Sequence, residues 1–310
     1  MDYLIFSFSL MLVYIGLAQL LHIQFGLLGI PNFGVVGFWG IGLYGTGVLF
    51  VEFSVPLLPS IILASGMSAL LAYVLSVLVL QRSGQAILAA TLALAAIVST
   101  LVITEKQLTN GVQGLGTIGF PFGKLDNRNA IFLGILAIVV GSLFWGGARL
   151  RDSRLGRSMI AIRDNEELAA SLGKDTSATK RMTFAFTCGL MGLLGGLSAP
   201  LHQFLVPYLL APSLTFAVWI ALVLGGKAHN FGAMVGVFAT FGLFDILVET
   251  YAPVPTEYAL LVPNFKLFCY GVLLVLIIMF RPTGILGEEG PRVRAKPAPP
   301  TLRSAPLEED

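Results

Sequence analysis

The sequence predicts an all-α integral membrane protein, and its composition, charge distribution and apolar pattern each support this fold class. Of its 310 residues, 56% are hydrophobic and 12% are charged, whereas about 25% of the residues of a soluble globular protein are charged. Thirteen charged residues fall within 149–182 and nine within 288–310. This pattern excludes a soluble enzyme, a nucleic-acid binder and a disordered scaffold, because none of them could keep so much apolar surface out of water without a bilayer.

Nine stretches are predicted to cross the bilayer, which takes about 20 mostly apolar residues per helix. Prolines, glycine clusters and charged residues mark their boundaries. The predicted spans are 3–24, 31–51, 57–80, 86–104, 130–148, 183–204, 213–226, 232–250 and 265–281. The second span contains six glycines and the seventh is short. Either can therefore be a broken or re-entrant segment, and a count of eight or ten spans is the alternative.

The distribution of Lys and Arg between the loops predicts the orientation of these spans. With nine spans, one membrane face carries eleven basic residues before the tail is counted and the opposite face carries four. Basic loops stay in the cytoplasm, so we expect the N-terminus outside, the C-terminus inside and an external loop at 105–129. The N-terminal apolar stretch lacks the basic residues of a secretory signal, and we expect it to remain as the first span.

Residues 1–287 are predicted to form one transmembrane domain, followed by a disordered cytoplasmic tail at 288–310. The tail has five prolines and nine charges, a composition that cannot build a core. Within the spans, small residues recur at the spacing that lets helix backbones approach closely in lipid. The two GxxxG pairs are Gly192 with Gly196 and Gly232 with Gly236. We interpret them as intramolecular packing sites rather than subunit interfaces.

The internal loop 149–182 is predicted to contain two short helices. Ser158 is expected to cap the first, and Asp164 or Asn165 the second, which Gly173 would end. The apolar face of the second helix would consist of Leu168, Ala169 and Leu172, with Ala170 beside it. Such a helix either rests on lipid headgroups or inserts into a groove of a partner protein and transmits its motion.

Five sequence motifs, in order along the chain, resemble those of one transporter family. They are GLLGIPNFGVVGFWGIGLYGTG, TNGVQGLGTIGFP, SRLGRSMIAIRDNEELAASLG, LVLGGKAHNFGAMVG and MFRPTGILG. Together they resemble the permease family of branched-chain amino-acid ABC importers over most of residues 25–287, and the ending resembles the LivM type more than the LivH type. The resemblance implies the ABC importer permease fold, and a loop at 149–182 that couples ATPase motion to the spans. The coupling residues that it implies are Arg163, Glu166, Glu167, Leu168, Ala169, Ala170, Leu172 and Gly173.

The sequence carries no motif for hydrolysing ATP by itself. It contains no GxxxxGK[ST] sequence, and it therefore cannot form the loop that cradles nucleotide phosphates. It also lacks the HExxH and GxSxG motifs of metal-dependent and serine hydrolases. We therefore expect a transport subunit rather than an enzyme, with no cofactor or metal of its own, and ATP and Mg²⁺ bound by partner ATPase subunits.

Candidate residues for the translocation pathway come from ionisable groups inside spans, which are costly in hydrocarbon. Asp245 is the first of these; the alternative is a packed carboxylate that accepts a hydrogen bond from a neighbouring helix. His202 lies near the outer end of the sixth span, and Gly37 and Gly40 permit close backbone approach in the second. The polar residues that end the first span are interpreted as satisfied by water or backbone rather than functional: Gln19, His22 and Gln24.

These observations and the resemblance predict the permease subunit of an ATP-driven importer for branched-chain or other neutral amino acids. The expected partners are a second, homologous permease subunit, two ABC ATPase subunits, an external solute-binding protein and the lipid of a bacterial plasma (inner) membrane. One alternative is a permease for urea or short amides. Another is a channel or facilitator without partners, against which the coupling-type loop argues.

Overall fold

A computed structural model describes most of the chain. The described residues are 2–80, 82, 84–116, 118–119, 128–227, 229–245, single positions between 265 and 280, and 284–287. Their α-helices are α1 (Asp2–Leu21), α2 (Val35–Val51), α3 (Leu57–Val79), α4 (Gly84–Thr104), α5 (Lys106–Thr109), α6 (Arg128–Asp152), α7 (Arg154–Asp164), α8 (Glu166–Ser171), α9 (Thr176–His202), α10 (Pro212–Gly225) and α11 (Gly232–Val237). A first π-helix (His22–Leu27) extends α1, a second (Phe238–Asp245) extends α11, and 3₁₀ turns occupy Gly111–Gln113 and Pro207–Leu210.

The all-α membrane fold predicted from the sequence is confirmed. Five helices in the described residues are long and apolar enough to cross a bilayer: Leu4–Leu27, Leu57–Val79, Gly84–Thr104, Asn129–Asp152 and Thr176–His202. Three shorter apolar helices, Val35–Val51, Pro212–Gly225 and Gly232–Gly242, lie within the second, seventh and eighth predicted spans. About half of the ninth predicted span lies outside the described residues, and its described positions are helical. The predicted tail at 288–310 lies entirely outside them.

Helix α2 shows that glycine content alone did not break the second span. It is continuous over 17 residues, which corresponds to a length of about 25 Å, somewhat shorter than the roughly 30 Å hydrocarbon core of a bilayer. Most of its side chains are buried, because it lies inside the bundle rather than at its lipid-facing surface. A helix enclosed by protein does not need to match the thickness of the bilayer by itself.

The centre of the bundle is the crossing of α2, α3 and α9. Of the apolar stretch of α9, 83% is buried, compared with 22% for that of α6. At the crossing, a Cβ atom added to Gly42 would lie 1.8 Å from the Gly192 carbonyl oxygen, and one added to Gly195 would lie 1.9 Å from the Trp39 oxygen. The two backbones therefore touch, and no side chain fits between them.

Both GxxxG pairs pack within the chain, as the sequence predicted. Gly192 and Gly196 face α2 and α3, where the nearest atoms to an added Cβ belong to Ser68 and Thr46. Gly232 and Gly236 bring α11 against α10, with an added Cβ on Gly236 only 1.7 Å from a backbone oxygen of α10. The outer helices are arranged around this core, with α1 packed on α6, α9 and α11, and α4 packed on α2.

One end of the bundle, which we call the basic end, carries residues 149–182. Arg149 at the end of α6 lies over the exposed Trp145 ring, with its guanidinium carbon 4.7 Å from the ring centroid, an arrangement suited to a membrane interface. At the same end, the Ile285 N–H donates to the Leu224 oxygen (2.8 Å). This bond brings together the LVLGG and MFRPTGILG motifs, and a Cβ on Gly284 would meet Gly226 at 2.6 Å.

The other end, which we call the opposite end, is covered by a short backbone pairing. Leu115 and Leu205 exchange two hydrogen bonds, with N–O distances of 2.9 and 3.0 Å, and the Ile118 N–H donates to the Gln203 oxygen. Leu115, Ile118 and Leu205 are fully buried. The described part of the predicted loop 105–129 and the segment after α9 therefore form one cap over the ends of α2 and α9.

Candidate functional site

The chain leaves the membrane-length helices at the start of the internal loop. Helix α7 begins after Ser153, whose hydroxyl accepts a hydrogen bond from the Gly156 N–H at 3.1 Å. The prediction of a cap at Ser158 is wrong, since Ser158 lies inside α7 and donates to the Arg154 oxygen. Gly156 explains the early start: an added Cβ would be 2.1 Å from the Leu150 oxygen, so the tight turn from α6 into α7 requires a glycine there.

Helix α8 has well-defined ends, as the sequence predicted. The Asn165 side chain accepts a hydrogen bond from the Leu168 N–H at 2.9 Å. Two glutamates follow in the first turn, where their negative charges interact favourably with the helix dipole. At the other end Gly173 has a φ of +79°. Its N–H donates to Ala170 and that of Lys174 to Ala169, which is the Schellman pattern. Six residues long, α8 is held in shape by its caps rather than by its length.

The apolar residues of α8 point in two directions, which corrects the single face predicted from the sequence. Ala169 is 3% exposed and packs inward, whereas Leu168 is 58% and Leu172 74% exposed. Ala170 and Gly173 are also exposed. The two leucines are four residues apart and share a side of the helix. Helix α8 therefore uses Ala169 to pack on its own chain and leaves most of the surface of its two leucines exposed.

Arg163 fastens the end of α7 to the first span. One guanidinium nitrogen donates to the Gly26 oxygen at 2.6 Å, and the group also pairs with Asp164 at 3.0 Å. The aliphatic part of Arg163 lies against Gly29, where an added Cβ would approach within 2.9 Å. Arg163 thus connects the loop to the first π-helix and the turn that follows it.

Glu166, the first residue of α8, forms an ion pair with Lys180 in the second turn of α9. Glu167, the second glutamate of α8, is exposed. The ion pair lies in one wall of a cleft of about 250 Å³ between the ends of α3, α8 and α9. The residues lining it are Ser76, Leu80, Glu166, Ser177, Lys180 and Arg181.

The polar residues that end the first span form a buried network, which sequence reasoning missed. Gln24 donates to Thr187 at 2.6 Å, and Asn32 donates to the Gln24 side-chain oxygen at 2.9 Å. The Asn32 side-chain oxygen in turn accepts from the Gly34 N–H at 2.7 Å, in the turn that precedes α2. Gln24, Asn32 and Thr187 are at most 1% exposed. They tie the first π-helix to the start of α2 and the middle of α9.

Two further hydrogen bonds connect the first span to the loop between α10 and α11. The Gln19 side chain donates to Asn230 at 2.7 Å, and the His22 Nδ1 atom lies 2.8 Å from the Lys227 oxygen. The interpretation of these residues as satisfied by water or backbone is therefore wrong for Gln19 and Gln24, whose partners are side chains. It holds for His22, whose partner is a backbone oxygen. The partners of all three come from residues roughly 160 to 210 positions further along the chain.

The four candidate pathway residues are not gathered at one point. An added Cβ on Gly37 would meet the Ala95 Cα at 2.8 Å, and one on Gly40 would meet a terminal carbon of Leu210 at 2.3 Å, so both glycines serve helix packing in this arrangement. The His202 ring lies edge-on to the Trp39 indole, with centroids 6.2 Å apart. The side chain of Asp245 lies outside the described residues, although its backbone ends the second π-helix.

Several buried polar atoms near the opposite end have no hydrogen-bond partner among the described residues. They are the His202 Nε2, Trp39 Nε1, Tyr44 Oη and Thr46 Oγ1 atoms. Each such atom costs about 1–3 kcal/mol if it stays unpaired. Since Trp39 is 1% exposed and Thr46 is fully buried, these groups form the least satisfied polar region in the described part of the bundle.

A bundle of membrane-length helices around a buried polar network, with a capped helix pair at its basic end, is the architecture of a polytopic membrane protein. The comparison with protein families agrees. Residues 3–278 match the family described as branched-chain amino acid transport system / permease component, and the chain belongs to this family.

Individual relatives cover almost the whole chain. The high-affinity branched-chain amino acid transport system permease protein LivM of Escherichia coli K12 is 27% identical over 318 residues, which cover 93% of this chain and 71% of LivM. The probable branched-chain amino acid transport permease proteins LivM and LivH of Methanocaldococcus jannaschii are 24% and 25% identical, covering 93% and 92% of their own lengths. No solved structure matches the chain.

Proposed function

We propose that this chain is a membrane-spanning permease subunit of an ATP-driven ABC importer for branched-chain or other neutral amino acids. Its partners would be a second, homologous permease subunit, two ATPase subunits that bind ATP and Mg²⁺, and an external solute-binding protein. Membership of the permease family supports the transport role. The observation that carries the coupling role is the exposed pair Leu168 and Leu172 on a helix with well-defined caps outside the bundle.

The loop has the physical properties that a mechanical contact requires. A helix that receives force must present apolar surface to its partner and must not slide over its own domain. Leu168 and Leu172 supply the surface, while Arg163 and Glu166 hold the loop to the first span and to α9. A helix resting on lipid headgroups would need no such fixed attachments. We therefore favour a contact between α8 and an ATPase subunit over a helix that rests on lipid headgroups.

For the solute pathway we propose the region of α2 and α9 towards the opposite end, with Gly37, Gly40, His202 and Asp245 as its candidate residues. The unpaired polar atoms of Trp39 and His202 support this placement, because such atoms are tolerated where a solute or water meets them in another state of the transport cycle. The unpaired groups of Trp39, Tyr44 and Thr46 are uncharged, which fits a neutral or zwitterionic solute. Asp245 remains a candidate from the sequence alone.

The coupling role predicts a specific defect for Ala170→Glu. Ala170 is exposed beside the two leucines, so a longer, charged side chain should prevent close contact with an ATPase without disturbing the fold. We expect solute uptake per ATP hydrolysed to fall at least about tenfold, within the range of coupling between linked sites. The measurement compares uptake and ATP hydrolysis by the complete complex in proteoliposomes.

The matched control for this change is Ala161→Glu. Ala161 is an exposed alanine of α7 in the same loop, and the substitution adds the same charge outside α8. We expect it to retain coupling. Normal uptake by Ala170→Glu would contradict the coupling role of α8. Uptake that does not require ATPase subunits at all would favour a facilitator.

In the proposed orientation, the basic end lies on the cytoplasmic side of a bacterial plasma membrane. Cysteine introduced at Val112, which is 77% exposed in the cap, should react with a membrane-impermeant thiol reagent added to intact cells, and cysteine at Leu155, which is 59% exposed in α7, should not. Leu115 in the same cap is unsuitable because it is fully buried. Permeabilised cells, in which both positions should react, provide the control. Labelling of position 155 alone in intact cells would invert the orientation.

A further inference from the structure

The attachments of α8 differ at its two ends. Its C-terminal end continues directly into α9 through a short turn at residues 172–175, where Gly173 adopts a positive φ. Its N-terminal end follows α7 after Asn165, and the ion pair between Glu166 and Lys180 ties it to α9. Without the ion pair, α8 would be joined to α9 mainly by the turn and could change its angle to α9. A second attachment at the far end, about 9 Å away along a six-residue helix, prevents this change of angle.

The surroundings of the ion pair make it the attachment that decides how α8 moves. The cleft of about 250 Å³ lies between Glu166 and the end of α3, represented by Ser76 and Leu80. Helix α8 is therefore not wedged against α3 at this end. The Lys180 side chain is 14% exposed and that of Glu166 is 46% exposed. The more buried lysine is therefore fixed in α9, and a movement of Lys180 carries Glu166 and α8 with it.

Helix α9 is the span that can transmit a movement of α8 to the other helices of the bundle. It packs on α2 and α3 along most of its length, and its backbone touches that of α2 at Gly195. Thr187 in its middle receives the hydrogen bond from Gln24 of the first π-helix. A displacement of α9 therefore reaches both α2 and the first span without passing through a flexible segment.

We propose that Lys180 is a positioning residue for energy coupling, which through its ion pair with Glu166 makes α8 and α9 move as one unit. This inference rests on the coupling role proposed above for α8. Lys180 does not contact the ATPase or the solute; it fixes the angle between the helix that receives the force and the span that transmits it. Its loss leaves α8 folded, exposed and joined to α7, but without the side-chain attachment that fixes its angle to α9.

The test is Lys180→Met in the complete complex, which removes the charge and keeps an unbranched apolar side chain. We expect ATP hydrolysis to continue and uptake per ATP to fall about tenfold. Glu166→Lys should have the same effect. The double variant Glu166→Lys with Lys180→Glu restores the pairing of opposite charges, so we expect it to recover most of the coupling. An effect of either charge acting alone would not be restored by this exchange. Lys174→Met is the matched control, since Lys174 donates to Ser158 on the exposed side of the same loop.

A second measurement follows the angle between the helices and needs no partner subunit. Spin labels at Ser171 and Phe186, both exposed, report the distance between α8 and α9 in the reconstituted chain, with Cys269 replaced by serine and Cys188 unreactive because it is fully buried. We expect a narrow distance distribution for the parent chain and Lys174→Met, and a broad one for Lys180→Met. Glu166→Gln removes the charge of the more exposed partner, and we expect it to broaden the distance distribution as Lys180→Met does.

The outcomes separate this inference from the proposed function. If Ala170→Glu uncouples transport while Lys180→Met leaves both coupling and the distance distribution unchanged, the positioning role of Lys180 is overturned and the coupling role of α8 stands. If neither variant affects coupling, the coupling role itself is wrong. Failure of the charge exchange to restore coupling would also overturn the ion-pair mechanism.

Discussion

Replacing Gly195 or Gly42 with alanine is expected to remove most of the folded protein. The added Cβ atoms would lie 1.9 Å from the Trp39 oxygen and 1.8 Å from the Gly192 oxygen. Both obstacles are backbone atoms, which cannot rotate away, so α2 and α9 would have to separate along their whole contact. Overpacking of this severity costs about 3 kcal/mol or more, a large part of a typical total stability of about 5–15 kcal/mol.

The quantity to measure is the fraction of the protein that is folded in detergent. Fluorescence-detected size-exclusion chromatography and thermal unfolding both report it. Gly134→Ala and Gly141→Ala in α6 are the matched controls, because an added Cβ at either position has no atom within 4 Å. Alanine is favoured over glycine inside a helix by about 1 kcal/mol, so these controls should fold at least as well as the parent chain. A Gly195→Ala chain that elutes and melts like the parent would show that the crossing is not close-packed.

The second large effect is expected from Asn32→Leu, which removes the central member of the buried polar network. Leucine has a similar volume but would leave the Gly34 N–H and the Gln24 side-chain oxygen without the partners that they now have. Each unpaired buried group costs about 1–3 kcal/mol, and we expect a loss of about 2–4 kcal/mol in the free energy of unfolding.

Cys188 provides a reporter for this loss of stability. Its thiol is fully buried beside Gln24 and Asn32, so a thiol-reactive dye should reach it only on unfolding, and at a lower temperature in Asn32→Leu. Gln85→Leu is the control, since Gln85 is an exposed amide in the first turn of α4. Equal melting of the two variants would mean that the network adds nothing to stability.

The sequence predicted the features that depend on neighbouring residues. Apolar runs located eight helices, because a membrane-length stretch of apolar residues has few alternatives to a helix. The Asn165 cap and the Gly173 stop of α8 were also predicted correctly, since capping depends on side chains within three or four positions. The predicted cap at Ser158 was wrong, although it also rested on neighbouring residues. A suitable residue type was present, but Gly156 allowed α7 to begin earlier.

Features that depend on distant residues were not predictable. Gln24 looked like a lone polar residue at a span end because its partner, Thr187, is 163 positions away. The glycine-rich second span indicated close packing but not that Gly42 would meet Gly192. Likewise, the sequence placed Glu166 in the coupling loop without indicating that Lys180 would neutralise it. The coupling and pathway roles of these residues remain predictions.

The buried polar network also constrains how the protein is made. Gln24 waits for a partner that is 163 residues later in the chain, and a ribosome adds about 5–20 residues per second. For roughly 8–30 s, the first spans are already in the membrane while the Gln24 side-chain N–H group lacks its Thr187 acceptor. A chain cut short before Thr187 leaves this N–H group without that acceptor permanently. The same side chains that stabilise the finished bundle therefore cost free energy in an unfinished one.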